Sequence, residues 1–290
     1  KWVLPIKGTK FVNIIQVKKV EEQDWNTLTA APGPYYTDKD HDRYVWAGQY
    51  REKNWQAAFL VQFFRDARAK TPTGGFKNEM WLLSPYLKGS FGDLYLESQI
   101  YWIAEGKRNF DNPTVSDLDM EGLAAYIMTK YNLGPAYVGG LYAYAEGNDP
   151  NDTTTIGGLR RGGADWNPML ILWNKDMVKW NGPMGPAGTT TGNAMTNASL
   201  FQVFVGYQAN KDLEIFASYA FAKADEVAIV GQDDDIGSEF DIKATYKMFE
   251  NLEYEVAFGY FWSDDWYKAG VPATTVDDNY LLFHKLTLSF

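Results

Sequence analysis

The chain has 290 residues, no cysteine, a formal net charge of −10 and an aromatic content of 16%. Mean hydropathy is negative and no stretch of about 18 apolar residues occurs, so helical membrane spans are excluded; the acidic balance argues against nucleic acid as a partner, and the missing cysteines remove any disulfide framework. An aromatic load of that size would burden a soluble surface, whereas a barrel uses it for a lipid-facing band and interfacial girdles.

From Lys1 to Glu22 the pattern is weak, with a first strand expected at Phe11, Asn13, Ile15 and Val17. The chain starts at Lys1 with no signal peptide, which for an exported protein implies a mature or truncated sequence. Gln23 to Asp42, with Pro32, Gly33 and Pro34, reads as a loop. Tyr44, Trp46, Gly48 and Tyr50 then alternate with Val45, Ala47, Gln49 and Arg51. After a tight turn at Lys53-Asn54, Trp55, Ala57, Phe59, Val61 and Phe63 repeat the rhythm, so a hairpin is predicted. A loop through Lys70 and Thr71 leads to a strand near Glu79–Leu87, a turn from Lys88 to Asp93, and a strand from Leu94 to Ala104. A loop near Glu105–Ser116, a strand near Asp119–Tyr131, a turn at Asn132 and a strand from Ala136 to Ala145 follow.

Next comes a long insertion, Glu146 to Ala198. Beyond it, strands are expected around Phe201–Tyr207 and Leu213–Phe221, with a turn through Ala209 between them and an acidic loop at Gly231-Gln-Asp-Asp-Asp after them. In the last hairpin, Phe240, Ile242, Ala244, Tyr246 and Met248 alternate with Glu239, Asp241, Lys243, Thr245 and Lys247. Its second leg sets Tyr254, Val256, Phe258, Tyr260 and Trp262 against Glu253, Glu255, Ala257, Gly259 and Phe261. A period of two is that of a strand, and legs of this length approach the roughly 9–11 residues needed to cross a bilayer at a tilt. With Met248 and Leu252 flanking the turn, Lys247 falls opposite Glu253 and Thr245 opposite Glu255. Asp264 to Asp278 is the last loop.

Short turns at Lys53, Lys88, Asn132, Ala209 and Glu250 alternate with long loops, and the final segment places Tyr280, Leu282, Leu286, Leu288 and the terminal Phe290 on one face, broken only by His284. These features resemble the bacterial outer-membrane β-barrel proteins, whose last strand ends in an aromatic residue. Within them the chain is similar to porins and, more faintly, to alginate-export-type barrels. The resemblance implies an all-β, antiparallel up-and-down transmembrane barrel of about twelve strands over residues 1–290, in the bacterial outer membrane. Turns would be short on the periplasmic side and loops long outside. Leu286, Leu288 and Phe290 would be the membrane-assembly signal read by the barrel-assembly machinery. Membrane lipid and lipopolysaccharide would surround the barrel, with a homo-oligomer possible for the class.

Charges expected on the inner face are Arg51, Glu97, Glu121, Glu214, Glu239, Asp241, Lys243, Lys247, Glu253, Glu255 and Lys285. Interspersed signs would set a transverse field on passing solutes, or would form a salt-bridged wall filling a narrow barrel. The insertion holds Met169, Leu170, Ile171, Leu172 and Trp173, a run that must pack on something, inside the mouth or against the rim. By the likeness to porins, whose long loop narrows the lumen, Arg160, Arg161 and Asp165 are constriction candidates. The expected function is passive diffusion of small hydrophilic or charged solutes; the alternatives are a plugged barrel serving as a surface scaffold or adhesin, and, less favoured, a lipid-modifying enzyme. His284 has Phe283 and Lys285 as neighbours rather than a serine two residues on, so no nucleophile constellation is recognised. His41 among Asp38, Asp40 and Asp42, and the Asp233-Asp-Asp run, read as solvated loops. No metal or cofactor is expected.

Overall fold

Alternating apolar and polar side chains can satisfy both a lipid and a water-facing surface only as extended strands whose backbone groups pair with neighbours. The computed structural model describes residues 1–7, 10–20, 23–26, 35–70, 75–160, 162–163, 166–177, 194–272 and 274–290. Its strands in chain order are β1 (Trp2–Pro5), β2 (Phe11–Val20), β3 (Gln23–Asn26), β4 (Tyr35–Asp38), β5 (His41–Arg51), β6 (Trp55–Asp66), β7 (Phe76–Phe91), β8 (Leu94–Phe110), β9 (Leu118–Met120), β10 (Leu123–Leu133), β11 (Ala136–Ala145), β12 (Thr155–Ile156), β13 (Ala198–Asn210), β14 (Leu213–Ala224), β15 (Asp235–Phe249), β16 (Leu252–Ser263) and β17 (Asn279–Leu288). Twelve of them run to ten residues or more, the expected number. They follow one another in the sheet in the order β1-β2-β5-β6-β7-β8-β10-β11-β13-β14-β15-β16-β17, and the registered long pairs are antiparallel, which makes an up-and-down meander.

Several boundaries differ from the sequence reading. The stretch Gln23–Asp42, expected as loop, contains the small β3–β4 hairpin, and β5 already begins at His41. The imidazole of His41 stands edge-on to Phe64, with ring centroids 5.1 Å apart. The turn expected from Lys88 to Asp93 shrinks to Gly92-Asp93, where Gly92 has φ +66°. Gly89 belongs to the strand because Trp55 lies against it: a Cβ there would stand 2.4 Å from the Trp55 Cβ, so this glycine marks a close approach and no turn. β8 likewise continues through Glu105 to Phe110, and the expected strand at Asp119–Tyr131 is broken at Glu121-Gly122 into β9 and β10. There the Glu121 N–H donates to Ile156 O at 2.9 Å and the Gly122 carbonyl accepts from Ile103 N.

The chain divides into two compact units. The first comprises Lys1–Gly89, Gln99–Leu123 and Asn151–Leu159. On its outward face the cross-strand rows are Val17–Tyr44–Phe63–Trp81 and Ile15–Trp46–Val61–Leu83, with Tyr44, Trp46 and Trp81 exposed. One row further on, Lys19, Asp42, Arg65 and Glu79 stand side by side. Its inner face buries Met80, Ile103 and Met120 against Phe64 and Leu159.

The second unit comprises Ser90–Ser98, Ala124–Pro150 and Arg160–Phe290. Its outward face exposes Phe201, Val203, Val205, Tyr219, Phe221, Ile242, Tyr246 and Trp262, large apolar groups at every second position, as a lipid-facing band requires. Its inner face is made of small residues in the half nearest the long loops: Ala143, Ala145, Ala198, Ala220, Ala222 and Ala224 are all buried. Small side chains leave depth above the wall, and a described segment of the loop between β11 and β13 packs into it.

Candidate functional site

The filling segment is 166–177. Met169, Ile171, Leu172, Trp173 and Met177 are buried in one apolar cluster with Leu141, Ala143, Leu200, Ala220, Ala222, Ile236 and Phe261 of the wall. An apolar run of this kind leaves water by lying on the alanine-lined surface. Its peptide groups need partners there, and two inner-face carboxylates of β15 supply them. The N–H groups of Ile171 and Leu172 donate to the two oxygens of Glu239, both at 2.7 Å, and the Leu170 N–H donates to Asp241 Oδ2 at 3.0 Å. Glu239 is 0% and Asp241 3% exposed. Gln202 on β13 donates to the Pro168 carbonyl at 2.9 Å. Within the segment, Asn174 donates to Met169 O at 2.7 Å and accepts from Met177 N at 2.9 Å.

Two backbone details show how closely the segment is held. A Cβ at Gly259 would stand 2.7 Å from Asp241 Oδ1 and 3.2 Å from Leu170 Cβ, so glycine makes room for both the carboxylate and the loop. Trp173 carries φ +52°, unusual for a bulky residue, and is held there by its fully buried ring. The base of the loop is stapled too: Gly147 N and Tyr144 Oη donate to Asp225 Oδ2 at 2.8 and 2.9 Å, and Asn197 donates to Glu226 O while accepting from Glu226 N.

The predicted inner-face charges therefore separate into groups. Glu239 and Asp241 face inward, but they are covered by loop backbone and do not meet solution, because the apolar loop needs acceptors where it lands. Glu255 pairs with Lys243 at 3.6 Å and with Lys285 at 3.4 Å. The register pairs Lys247 with Glu253 and Thr245 with Glu255 as expected, while the ion pairs of Glu255 run to other neighbours. Glu97 accepts from Tyr95 at 2.5 Å and from Tyr126 at 2.9 Å, and Glu214 accepts from Tyr137 at 2.6 Å. Arg51 is exposed at the end of β5. Glu121 is exposed in the break before β10, so strand alternation does not carry it onto the inner face. Arg160 is half-buried; Arg161 and Asp165 lie outside the described residues.

Sequence reading missed Gln202, Asn174 and Gly259 as parts of this arrangement. The alanines at alternate positions of β14 were the available signal. Earlier in the chain, in the first unit, Asp152 caps a turn, accepting from Thr154 N and Oγ1 at 2.7 Å and from Thr155 N at 3.1 Å. Those donors, the Thr154 hydroxyl first, hold its carboxyl down at about 2. Asp233, Asp234 and Asp235 form a close, largely exposed carboxylate cluster, in which Asp234 and Asp235 pair with Lys223.

Twelve long antiparallel strands among the described residues, short turns alternating with long loops, an outward apolar band and an inner face that mixes small apolar with charged side chains define a bacterial outer-membrane β-barrel protein. Solved structures with similar chains include the outer-membrane channel DcaP of Acinetobacter baumannii (11% identity, 99% of this chain and 83% of that one, TM-score 0.47). Others are the Salmonella typhi OmpF complex with daunomycin (11% identity, 97% and 99%, TM-score 0.39) and OmpT of Vibrio cholerae (12% identity, 97% and 98%, TM-score 0.36). These similarities are of fold. No protein-family model and no curated protein sequence matches the chain.

Proposed function

We propose that the protein is an outer-membrane channel for small hydrophilic or charged solutes, with segment 166–177 setting its narrowest point. The observation that supports this reading is the latch: a long loop held on the inner wall by the buried carboxylates of Glu239 and Asp241, beside a stretch of wall that carries charged, partly solvated side chains. Lys243, Glu255 and Lys285 interleave both signs on the inner face, which suits hydrated solutes of either charge. Diffusion along such a wall needs no nucleophile, metal or cofactor, so the reading is non-enzymatic. Lipid and lipopolysaccharide cover the apolar face, and insertion is left to the barrel-assembly machinery.

The test is single-channel recording of the refolded protein in a planar bilayer, with reversal potential under a salt gradient. Discrete, stable openings support the channel, and the sign of the potential tells which charges dominate. Silence from protein that migrates as folded on a heat-modifiability gel overturns it in favour of a closed barrel whose loops bind a surface partner.

A further inference from the structure

Immediately beyond the loop-covered rows, the inner wall of the second unit changes character. The row holding Gln202, Ala220, Glu239 and Phe261 lies under the loop; two residues on along β13, β14 and β15 stand Phe204, Ser218 and Asp241, and two further stand Gly206, Phe216 and Lys243. Here the small residues are glycines, and each is covered by a ring from the adjacent strand. A Cβ at Gly206 would stand 2.0 Å from the Tyr137 ring, and one at Gly139 would stand 2.3 Å from the Phe204 ring. Seating rings in these notches joins them: Tyr137 and Phe204 lie 6.3 Å apart by centroids, and Phe204 and Phe216 lie 5.9 Å apart. Two ammonium groups sit over the same rings. Lys130 is 4.8 Å from the Tyr137 centroid and 5.9 Å from that of Tyr95, and Lys243 is 5.7 Å from that of Phe216. All of these rings are only half-buried, so they retain face on the inner side.

From this stripe of Tyr95, Lys130, Tyr137, Phe204, Phe216 and Lys243 we infer a binding track for carbohydrate rings along the wall; the inference rests on the channel reading. A ring face attracts positive charge, and the C–H face of a sugar is partly positive and apolar, so it can take the place the ammonium groups now occupy. The hydroxyls of a sugar need both acceptors and donors. Glu97 and Glu214, bound to Tyr95 and Tyr137, supply the acceptors, and Lys130 and Lys243 the donors. Counting Glu255, which pairs with Lys243, and Lys285, which pairs with Glu255 in turn, three carboxylates stand against three ammonium groups, a balance that favours an uncharged polyol over an anion or a cation. The stripe also reaches the loop, since Tyr126, the second donor to Glu97, stacks with loop residue Trp166 at 6.1 Å.

The test is current blockade by maltotriose in the planar bilayer, scored against each channel's own open current, with equilibrium dialysis of labelled maltotriose against the folded protein in micelles. Reversible interruptions at millimolar sugar are expected. Phe216→Ala and the volume-conserving Phe216→Leu should each raise the half-blocking concentration at least ten-fold, while Phe201→Leu, on the outward face, should leave it unchanged. Blockade no stronger than by a polyethylene glycol of matched size, or weaker than by benzoate, would overturn the track and leave the channel standing. Absence of current together with retained maltotriose binding in dialysis would instead remove the channel and keep the track; absence of both removes both.

Discussion

Replacing Glu239 by alanine removes the acceptor for two N–H groups, Ile171 and Leu172, each at 2.7 Å in a site with no exposed surface. A buried N–H left without its acceptor costs about 1–3 kcal/mol, and bonds this short in a site without exposed surface fall in the upper part of that range, from about 1.5 kcal/mol. The alanine variant should therefore weaken docking of the segment by about 3–6 kcal/mol, on the bonds at 2.7 Å. Glu239→Gln keeps one acceptor and turns a donor toward the second N–H, so about half that loss is expected. At roughly 1.4 kcal/mol per factor of ten, even the smaller loss makes local opening about ten-fold or more frequent. The assay is hydrogen exchange, read by mass spectrometry, over the peptide spanning residues 166–177 in the refolded protein. The alanine variant should exchange there at least 100-fold faster, a conservative bound on the 3–6 kcal/mol range, with strand peptides unchanged and single-channel currents larger or noisier. Exchange within two-fold of wild type, in a variant that remains folded, would refute the assignment of Glu239 as the latch.

Gly206→Ala should force the Tyr137 ring off its seat, since a Cβ would meet it at 2.0 Å, breaking the 2.6 Å bond to Glu214 at a cost of about 1–3 kcal/mol; urea titration of the barrel in vesicles measures it. Val203→Arg, on the outward face of β13, should cost about 2–4 kcal/mol in the same titration, whereas Thr245→Arg, inward beside Glu255, should cost far less and shift the reversal potential toward anions. Asp152 gives a pH dependence of known sign. Its folded carboxyl titrates at about 2, below the ordinary 3.8, so the turn through Thr154 and Thr155 keeps its full contribution above about pH 4 and loses it as the pH falls through about 2. Amide exchange at Thr155, slow at pH 4 and accelerated at pH 2 beyond its intrinsic rate, checks this; Asp152→Ala should show the fast behaviour at both.

Much of the wall was legible because lipid on one side and water on the other impose a period of two that side-chain chemistry records directly. In β15, Phe240 and Ile242 face outward while Glu239, Asp241 and Lys243 face inward, as the alternation alone required. What covers the inward residues was not legible. Glu239 meets the N–H groups of residues 68 and 67 positions earlier, and a peptide N–H has no signature in sequence. Loop-covered and solvent-facing carboxylates therefore looked alike. Strand ends were misplaced where glycine had two meanings: Gly89 is packed against Trp55, whereas Gly92 turns the chain with φ +66°. Glu121 looked inward by parity, but parity fails across the break where β9 pairs in parallel with β12.

The charged row of the first unit has a mechanical meaning. On β6 the outward ladder from Trp55 to Phe63 ends at Arg65, whose guanidinium stands 4.0 Å from Asp40 and 3.8 Å from Glu79, which in turn pairs with Lys77 at 3.0 Å. At the turn end of the same sheet region, Lys10 pairs with Glu52. Between these two charged ends lie roughly 26 Å of strand at about 3.3 Å per residue, or about 20 Å of height at a tilt near 40°. A wall fenced this way can neither sink nor rise without drawing ion pairs into hydrocarbon, where a cation at midplane costs about 2–4 kcal/mol. The ion pairs thus work as a float line, fixing this part of the wall vertically while the apolar ladder between them leaves it free to drift and turn in the plane of the membrane.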